Sequence, residues 1–133
     1  MALNKETILL VDDDMDYLFQ LKITVENFGY NTITAGSQKE AERIIETKKP
    51  DLAILDLMME NEDSGFILSY KIKKRYPDVP IIIITAVTVE TGYSFSVDLK
   101  EEHPWIKSDS FMDKGIRSDK LEREILRLLN NSK

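Results

Sequence analysis

The sequence predicts an α/β fold with one doubly wound, five-stranded parallel sheet and helices on both of its faces. Short continuous apolar runs, such as residues 81–84, alternate with longer segments of helical periodicity. That alternation is typical of parallel strands that crossover helices bury on both faces. The length of 133 residues and the hydrophobic fraction of 42% suit one core, so we expect a single domain over residues 1–133.

Five segments have the composition of buried strands. Each is a short run rich in aliphatic or β-branched residues and is bounded by polar or turn-forming residues. They are residues 7–12, 31–34, 52–56, 80–85 and 110–113. Because longer segments separate them, we expect crossover connections and parallel pairing instead of hairpins.

The first two helices have recognisable ends. Gly29 follows the first helix at the position of a left-handed C-cap. The second helix opens with Ser37 and Glu40 in the spacing of a capping box, and Pro50 stops it. Apolar residues at helical spacing support both helices, with Leu18, Leu21, Val25 and Phe28 in the first and Ala41, Ile44 and Ile45 in the second.

The remaining helical segments differ in strength. Residues 64–76 form the third predicted helix, and Ser118 caps the last one. The apolar face of the last helix consists of Leu121, Ile125, Leu128 and Leu129. Between residues 87 and 100 apolar side chains also stand four apart, but most of their neighbours have low helix propensity. We therefore expect only a weak helix there.

Composition and charge narrow the class of protein. The formal charge of −6, from 24 acidic and 18 basic residues, repels nucleic-acid phosphates, so we expect no direct nucleic-acid binding. The apolar runs are too short to span a bilayer, and residues 1–7 lack the apolar core of a signal peptide. The absence of cysteine is compatible with a reducing compartment. We expect a cytoplasmic protein without a membrane segment.

Chemically capable side chains stand at the ends of four predicted strands. Asp12 and Asp13 end the first strand, Asp56 ends the third, Thr85 ends the fourth, and Lys114 follows the fifth. Doubly wound sheets bind ligands beyond the carboxyl ends of their strands, at the point where the strand order reverses. If the first and third strands are neighbours there, the three carboxylates converge.

This set of residues fits phosphoryl transfer. Adjacent carboxylates repel one another unless a cation lies between them, and oxygen ligands of this kind suit Mg²⁺. The ammonium of Lys114 and the hydroxyl of Thr85 can bind the oxygens of a transferring phosphoryl group. Asp56 is then the natural carboxylate nucleophile, and the product is an aspartyl phosphate.

The same residues resemble the signature of response-regulator receiver domains, the phosphoacceptor domains of two-component signalling. The matching residues are Val11-Asp12-Asp13, Asp56-Leu57-Met58-Met59, Thr85-Ala86 and Lys114. The resemblance covers about residues 6–129 and identifies the chain as a single-domain receiver. It implies the flavodoxin-like strand order 2-1-3-4-5, for which a member of this family is itself a standard example.

The resemblance also implies a role for each site residue. Asp56 would be the phosphoacceptor. The implied Mg²⁺ ligands are Asp13, Asp56 and the backbone carbonyl of Met58, with Asp12 acting largely through water. Thr85 and Phe111 would form a switch pair, in which the hydroxyl moves toward the phosphoryl group while the ring turns inward.

Partners and activity follow from the same resemblance. Such a domain is not an enzyme in the usual sense, because it catalyses only its own phosphoryl transfer and dephosphorylation. The implied phosphodonor is a sensor histidine kinase or a phosphotransfer protein, and the output goes to an unidentified downstream protein. Since no effector segment follows Leu129, we expect that output to be a protein–protein contact.

Three features depart from the family pattern. Gly115 follows Lys114, and Glu60 follows Met59, at positions where most relatives have proline. The interval from Thr85 to Lys114 is also longer than in most relatives, with the excess around residues 101–109. We expect these departures to affect the surrounding loops and not the five key residues.

Two other functions fit parts of the pattern. A phosphatase of the haloacid-dehalogenase kind uses a strand-end aspartate nucleophile, which would be Asp12, together with a Thr or Ser, a Lys and Mg²⁺. Against it, Asp16 stands where that family has Thr or Val, and Asp56 would have no role. The other alternative is a non-phosphorylated interaction module, which would be expected to have lost at least one of the five residues.

Overall fold

The sheet of the computed structural model, which describes residues 6–61, 63–85 and 109–131, contains five parallel strands in the order β2-β1-β3-β4-β5. The strands are β1 (Thr7–Val11), β2 (Asn31–Ala35), β3 (Leu52–Asp56), β4 (Ile81–Thr85) and β5 (Ser110–Asp113). The predicted fold class and strand order are therefore confirmed. The predicted strand boundaries differ from these by at most one residue.

Four helices belong to the described residues: α1 (Met15–Asn27), α2 (Gln38–Thr47), α3 (Ser64–Arg75) and α4 (Ser118–Asn131). Each matches a predicted helix. The weak helix expected between residues 87 and 100 lies outside the described residues, as does the extra segment 101–109 apart from Asp109. No helix in the described ranges is long and apolar enough to cross a membrane.

The C-terminal end of α1 has the predicted capping residue, and Asp14 caps its N-terminal end. The carboxylate of Asp14 accepts a hydrogen bond of 3.1 Å from the backbone N–H of Tyr17, which satisfies one of the free donors of the first turn. Gly29 ends the helix with a φ of 103°, in the left-handed region that glycine adopts without steric cost. These two residues fix where the chain enters and leaves the helix.

The capping predictions for α2 and α4 hold only in part. Ser37 Oγ accepts from the N–H of Glu40 at 3.0 Å, as in a capping box. The side chain of Glu40, however, accepts from Gly36 at 2.7 Å, one residue before the expected donor. Ser118 is the first residue of α4 and not its cap, because the carbonyl of Arg117 already accepts from Leu121.

Two hydrophobic clusters cover the two faces of the sheet. Alternate residues of the same strands supply them, as in Leu9 and Val11 on one face and Ile8 and Leu10 on the other. One cluster packs against α2 and α3, and the other packs against α1 and α4. The central residues of the buried strands are therefore apolar, and polar side chains are accommodated at the strand ends.

Candidate functional site

Three carboxylates converge at the carboxyl end of the sheet. β1 and β3 are hydrogen-bonded neighbours with Val11 opposite Leu55, so the residues that follow, Asp12 and Asp56, lie side by side. One carboxylate oxygen from each of Asp12, Asp13 and Asp56 lies within 4.8 Å of the other two. Asp12 and Asp56 are only 2% and 6% exposed, whereas Asp13 is exposed. The cluster is thus buried on one side and open to solvent on the other.

Lys114 places an ammonium group against this cluster. Its Nζ lies 2.8 Å from Asp12 Oδ2 and 3.5 Å from Asp56 Oδ1. Its backbone N–H donates to the carbonyl of Thr85 at 3.0 Å, which ties the start of the following turn to the end of β4. The next residue, Gly115, donates its N–H to Asp113 Oδ1 at 2.6 Å. Lys114 is therefore held through both its main chain and its side chain.

The electrostatics of the cluster show that one lysine does not balance three carboxylates. Burial and the repulsion of Asp12 and Asp13 raise the pKa of Asp56 from 3.8 to about 7, and the opposing attraction of Lys114 does not cancel them. Burial alone would lower the pKa of Lys114, but its contacts with Asp12 and Asp56 raise it. The lysine is thus kept charged, while the carboxylates retain an excess of negative charge that suits a cation.

Local hydrogen bonds fix the orientation of Asp12. Its N–H donates to Ala35 at the end of β2, at 3.1 Å. Its Oδ1 accepts from the N–H of Asp14 at 2.9 Å, and its Oδ2 is the atom that contacts Lys114. Both oxygens of this buried carboxylate are therefore engaged within the described part of the chain.

The start of α3 packs directly against the end of β3. The N–H of Gly65 donates to the carbonyl of Leu57 at 2.7 Å. A Cβ atom on Gly65 would lie 2.5 Å from the carbonyl oxygen of Asp56 and 2.7 Å from Leu57 Cα, distances that no side chain tolerates. Only glycine fits there, so the helix N-terminus and the Asp56 backbone form one closely packed unit.

The remaining predicted site residues lie at the same end of the molecule or beside it. Thr85 ends β4 and is 5% exposed. Met58 lies in the loop after β3, with a side chain that is 44% exposed. Phe111 lies within β5, and its ring meets that of Phe66 edge-on, with centroids 5.9 Å apart. The geometry is compatible with the predicted metal and switch roles, which stay predictions.

Two residues near the site were not identified from the sequence. The ring centroid of Tyr17 lies 4.8 Å from Nζ of Lys114, within the range of a cation–π contact. The carboxylate of Glu60 accepts two backbone hydrogen bonds at the start of α2. These donors hold the pKa of Glu60 below its usual value although burial acts to raise it. The only sequence signal for Glu60 was its place in the family pattern, where proline is usual.

Comparisons with known proteins agree with the fold and with the predicted family. The family described as the response regulator receiver domain matches residues 8–103, a range that includes Asp12, Asp13, Asp56 and Thr85 and ends before Lys114. The transcriptional regulatory protein PhoP of Bacillus subtilis is 29% identical over 130 residues, which is 98% of this chain and 50% of PhoP. GlrR of Escherichia coli is 42% identical over 79 residues, 59% of this chain and 18% of GlrR.

Solved structures show the same architecture. A CheY-like response regulator receiver domain protein from Methanospirillum hungatei superimposes with a TM-score of 0.81 at 24% identity, covering 97% of each chain. This chain spans half or less of the length of the two curated relatives above. With a family match over most of the sequence and an acidic cluster at the expected strand ends, this chain belongs to the response regulator receiver domains of two-component signalling.

Proposed function

We propose that this receiver domain accepts a phosphoryl group on Asp56 in a Mg²⁺-dependent transfer. The observation that carries the proposal is the cluster itself, in which Asp12, Asp13 and Asp56 lie within 4.8 Å of one another and Lys114 contacts two of them. Asp56 is the carboxylate at the end of the central strand β3, and one of its oxygens lies within 4.8 Å of an oxygen of the exposed Asp13. That position places Asp56 beside both the proposed cation site and Lys114.

The residues present fit Mg²⁺. Carboxylate and carbonyl oxygens are the ligands that this ion prefers, and it takes few protein ligands while sharing its other positions with water and phosphate. Burial and the negative charges of Asp12 and Asp13 raise the pKa of Asp56, and a divalent cation would relieve the repulsion among these carboxylates. The proposed ligands are Asp13, Asp56 and the backbone carbonyl of Met58, with Asp12 acting through water. When bound, the ion supplies neutralisation of charge between the carboxylates and the phosphoryl oxygens.

The side chains of the site then divide the transfer among them. A carboxylate oxygen of Asp56 attacks phosphorus, and the bond between phosphorus and the leaving group of the donor breaks as the new P–O bond forms. Lys114, whose contacts with Asp12 and Asp56 raise its pKa further and keep it charged, binds an oxygen of the phosphoryl group. Thr85 donates its hydroxyl to another oxygen, and Phe111 follows this movement as the second member of the switch pair.

The proposal extends to the cellular role. The domain catalyses only its own phosphorylation and dephosphorylation, as one unit over residues 1–133 in the cytoplasm. Its donor is a sensor histidine kinase or a phosphotransfer protein, and its output is contact with a downstream protein. PhoP and GlrR are named transcriptional regulators, but the net charge of −6 makes direct contact of this domain with nucleic acid unfavourable. The proposed partners include neither nucleic acid nor a membrane.

Mass spectrometry after incubation with acetyl phosphate and Mg²⁺ tests this proposal. We expect one added phosphoryl group, mapped to Asp56, and none on an Asp56→Asn variant. Asp16→Asn, which removes the same charge from an exposed position in α1, serves as the matched control and should be labelled normally. A rapidly hydrolysed adduct on Asp12 would support the haloacid-dehalogenase alternative, which the comparisons do not favour. No adduct at all would support the interaction module.

A further inference from the structure

The carboxylate of Glu60 caps a helix to which Glu60 does not belong. Its Oε1 accepts from the N–H of Gln38 at 2.8 Å, and its Oε2 accepts from the N–H of Lys39 at 3.1 Å. These are the first two N–H groups of α2, while Ser37 takes the next one from Glu40. The exposed donors of a helix N-terminus favour a negative charge, so the contact is both hydrogen-bonded and electrostatically favourable.

Glu60 stands in the loop that joins β3 to α3, four positions after Asp56 and two after Met58. On the α3 side the loop is held by several hydrogen bonds, one of which is donated by the N–H of Ser64 to the carbonyl of Asn61 at 3.2 Å. Gly65 donates to the carbonyl of Leu57 at 2.7 Å, and Asn61 donates its N–H to Ser64 Oγ at 2.9 Å. On the other side its described attachment to α2 is the bidentate contact of Glu60. The loop is thus hydrogen-bonded to the N-terminal ends of both α2 and α3.

We propose that Glu60 is a positioning residue that ties this loop to α2, so that Mg²⁺ binding through the Met58 carbonyl and the order of the α2 start are coupled. The inference rests on the metal site of the proposed function. Coupling of this kind is reciprocal: the tether favours the loop geometry that the ion needs, and the bound ion in turn stabilises the first turn of α2. Glu60 itself contacts neither the ion nor the phosphoryl group.

Three variants of Glu60 distinguish the effect of its hydrogen bonds to α2 from the effect of its negative charge. Glu60→Ala removes both the carboxylate and the tether. Glu60→Asp keeps the charge but shortens the side chain by about 1.5 Å, so that its carboxylate no longer reaches both amides. Glu60→Gln removes the charge but keeps one carbonyl acceptor of the same reach. Glu46→Ala, in an exposed position near the other end of α2, controls for the loss of one negative charge.

The measurements are an NMR titration with Mg²⁺ and amide hydrogen exchange with and without the ion. In metal-free Glu60→Ala and Glu60→Asp we expect the amides of Gln38 and Lys39 to exchange about fivefold faster, as for loss of a helix cap. The Mg²⁺ dissociation constant should rise about three- to fivefold in both variants. Glu60→Gln should lie between them and the unchanged chain, and Glu46→Ala should match the unchanged chain. In the unchanged chain, Mg²⁺ should slow exchange at both amides.

The outcomes distinguish this inference from the proposed function. If Glu60→Asp binds Mg²⁺ as the unchanged chain does while Glu60→Ala does not, the carboxylate acts only through its charge and the positioning role is wrong. The role is also wrong if exchange at Gln38 and Lys39 accelerates without any change in the dissociation constant. Failure of the unchanged chain to bind Mg²⁺ would instead overturn the metal site of the proposed function, and the coupling with it.

Discussion

Asp56→Asn is expected to stabilise the metal-free chain at alkaline pH, even though it removes the proposed phosphoacceptor. The folded structure raises the pKa of Asp56 from 3.8 to about 7, a difference of about three units. Each unit corresponds to about 1.4 kcal/mol, so ionised Asp56 lowers the free energy of unfolding by about 4 kcal/mol. Asparagine has nearly the same shape and carries no charge, so the variant escapes that penalty.

The stability difference between the unchanged chain and Asp56→Asn should grow as the pH rises. Below the unfolded pKa of 3.8, Asp56 is protonated in both states, and the unchanged chain and the variant should differ by less than about 1 kcal/mol. As the pH rises from 3.8 to about 7, the unfolded chain ionises first, so the folded form loses stability relative to the variant. Above the folded pKa both states are ionised, and the difference levels off at about 4 kcal/mol.

Urea unfolding followed by circular dichroism in the presence of EDTA measures this difference. The two proteins should be compared at about pH 4 and about pH 8. With a typical urea dependence of about 1–3 kcal/mol per molar, the gap in midpoint at the higher pH exceeds about 1 M. Asp16→Asn, a substitution of the same kind at an exposed position, is the control for the removal of one carboxylate. A stability difference that is the same at both pH values would refute the reasoning, and added Mg²⁺ should narrow the gap.

Three further substitutions test single contacts of the site. Asp13→Ala should leave the nucleophile intact but weaken Mg²⁺ binding, so that labelling of Asp56 falls and partly recovers at high Mg²⁺; an unchanged Mg²⁺ dependence would count against Asp13 as a ligand. Tyr17→Leu should slow the labelling of Asp56 about three- to tenfold, because it removes the cation–π contact with Lys114. Tyr17→Phe keeps the aromatic ring and should be labelled at the rate of the unchanged chain. If the Leu and Phe variants are labelled at the same rate, the contact has no role in the transfer. Gly65→Ala should lower the free energy of unfolding in urea by about 2 kcal/mol or more because its Cβ meets backbone atoms, although helix propensity alone favours alanine; a stabilised variant would contradict that contact.

The strand-end residues could be predicted because a parallel strand that is buried on both faces accepts almost only apolar residues along its length. The run from Ile81 to Ile84 has alternate side chains in the two hydrophobic clusters, so a polar residue is tolerated only where the strand stops. That rule identifies Thr85 and Asp56 as residues at the carboxyl edge. Strand order then brings Asp12 beside Asp56, and the sheet of the structure has this order.

The contacts of Glu60 and Tyr17 could not be predicted in the same way. Glu60 reaches a helix that begins 22 residues earlier, and nothing periodic marks a loop carboxylate whose partners are backbone amides. Tyr17 meets Lys114 only because α1 and the turn after β5 pack against each other at one corner of the sheet. Such contacts depend on side-chain direction in the assembled fold, whereas strands and helices follow from local patterns.

The contact at Gly65 has a mechanical consequence. The backbone of Gly65 packs directly against the backbone of Asp56 and Leu57, so we expect a shift of the Asp56 main chain to tilt α3. With 12 residues, α3 is about 18 Å long, so a small rotation of the helix about its N-terminal end becomes a larger displacement at its C-terminal end. A spin label or fluorophore close to Arg75 would therefore report a shift of the Asp56 backbone at the opposite end of the helix.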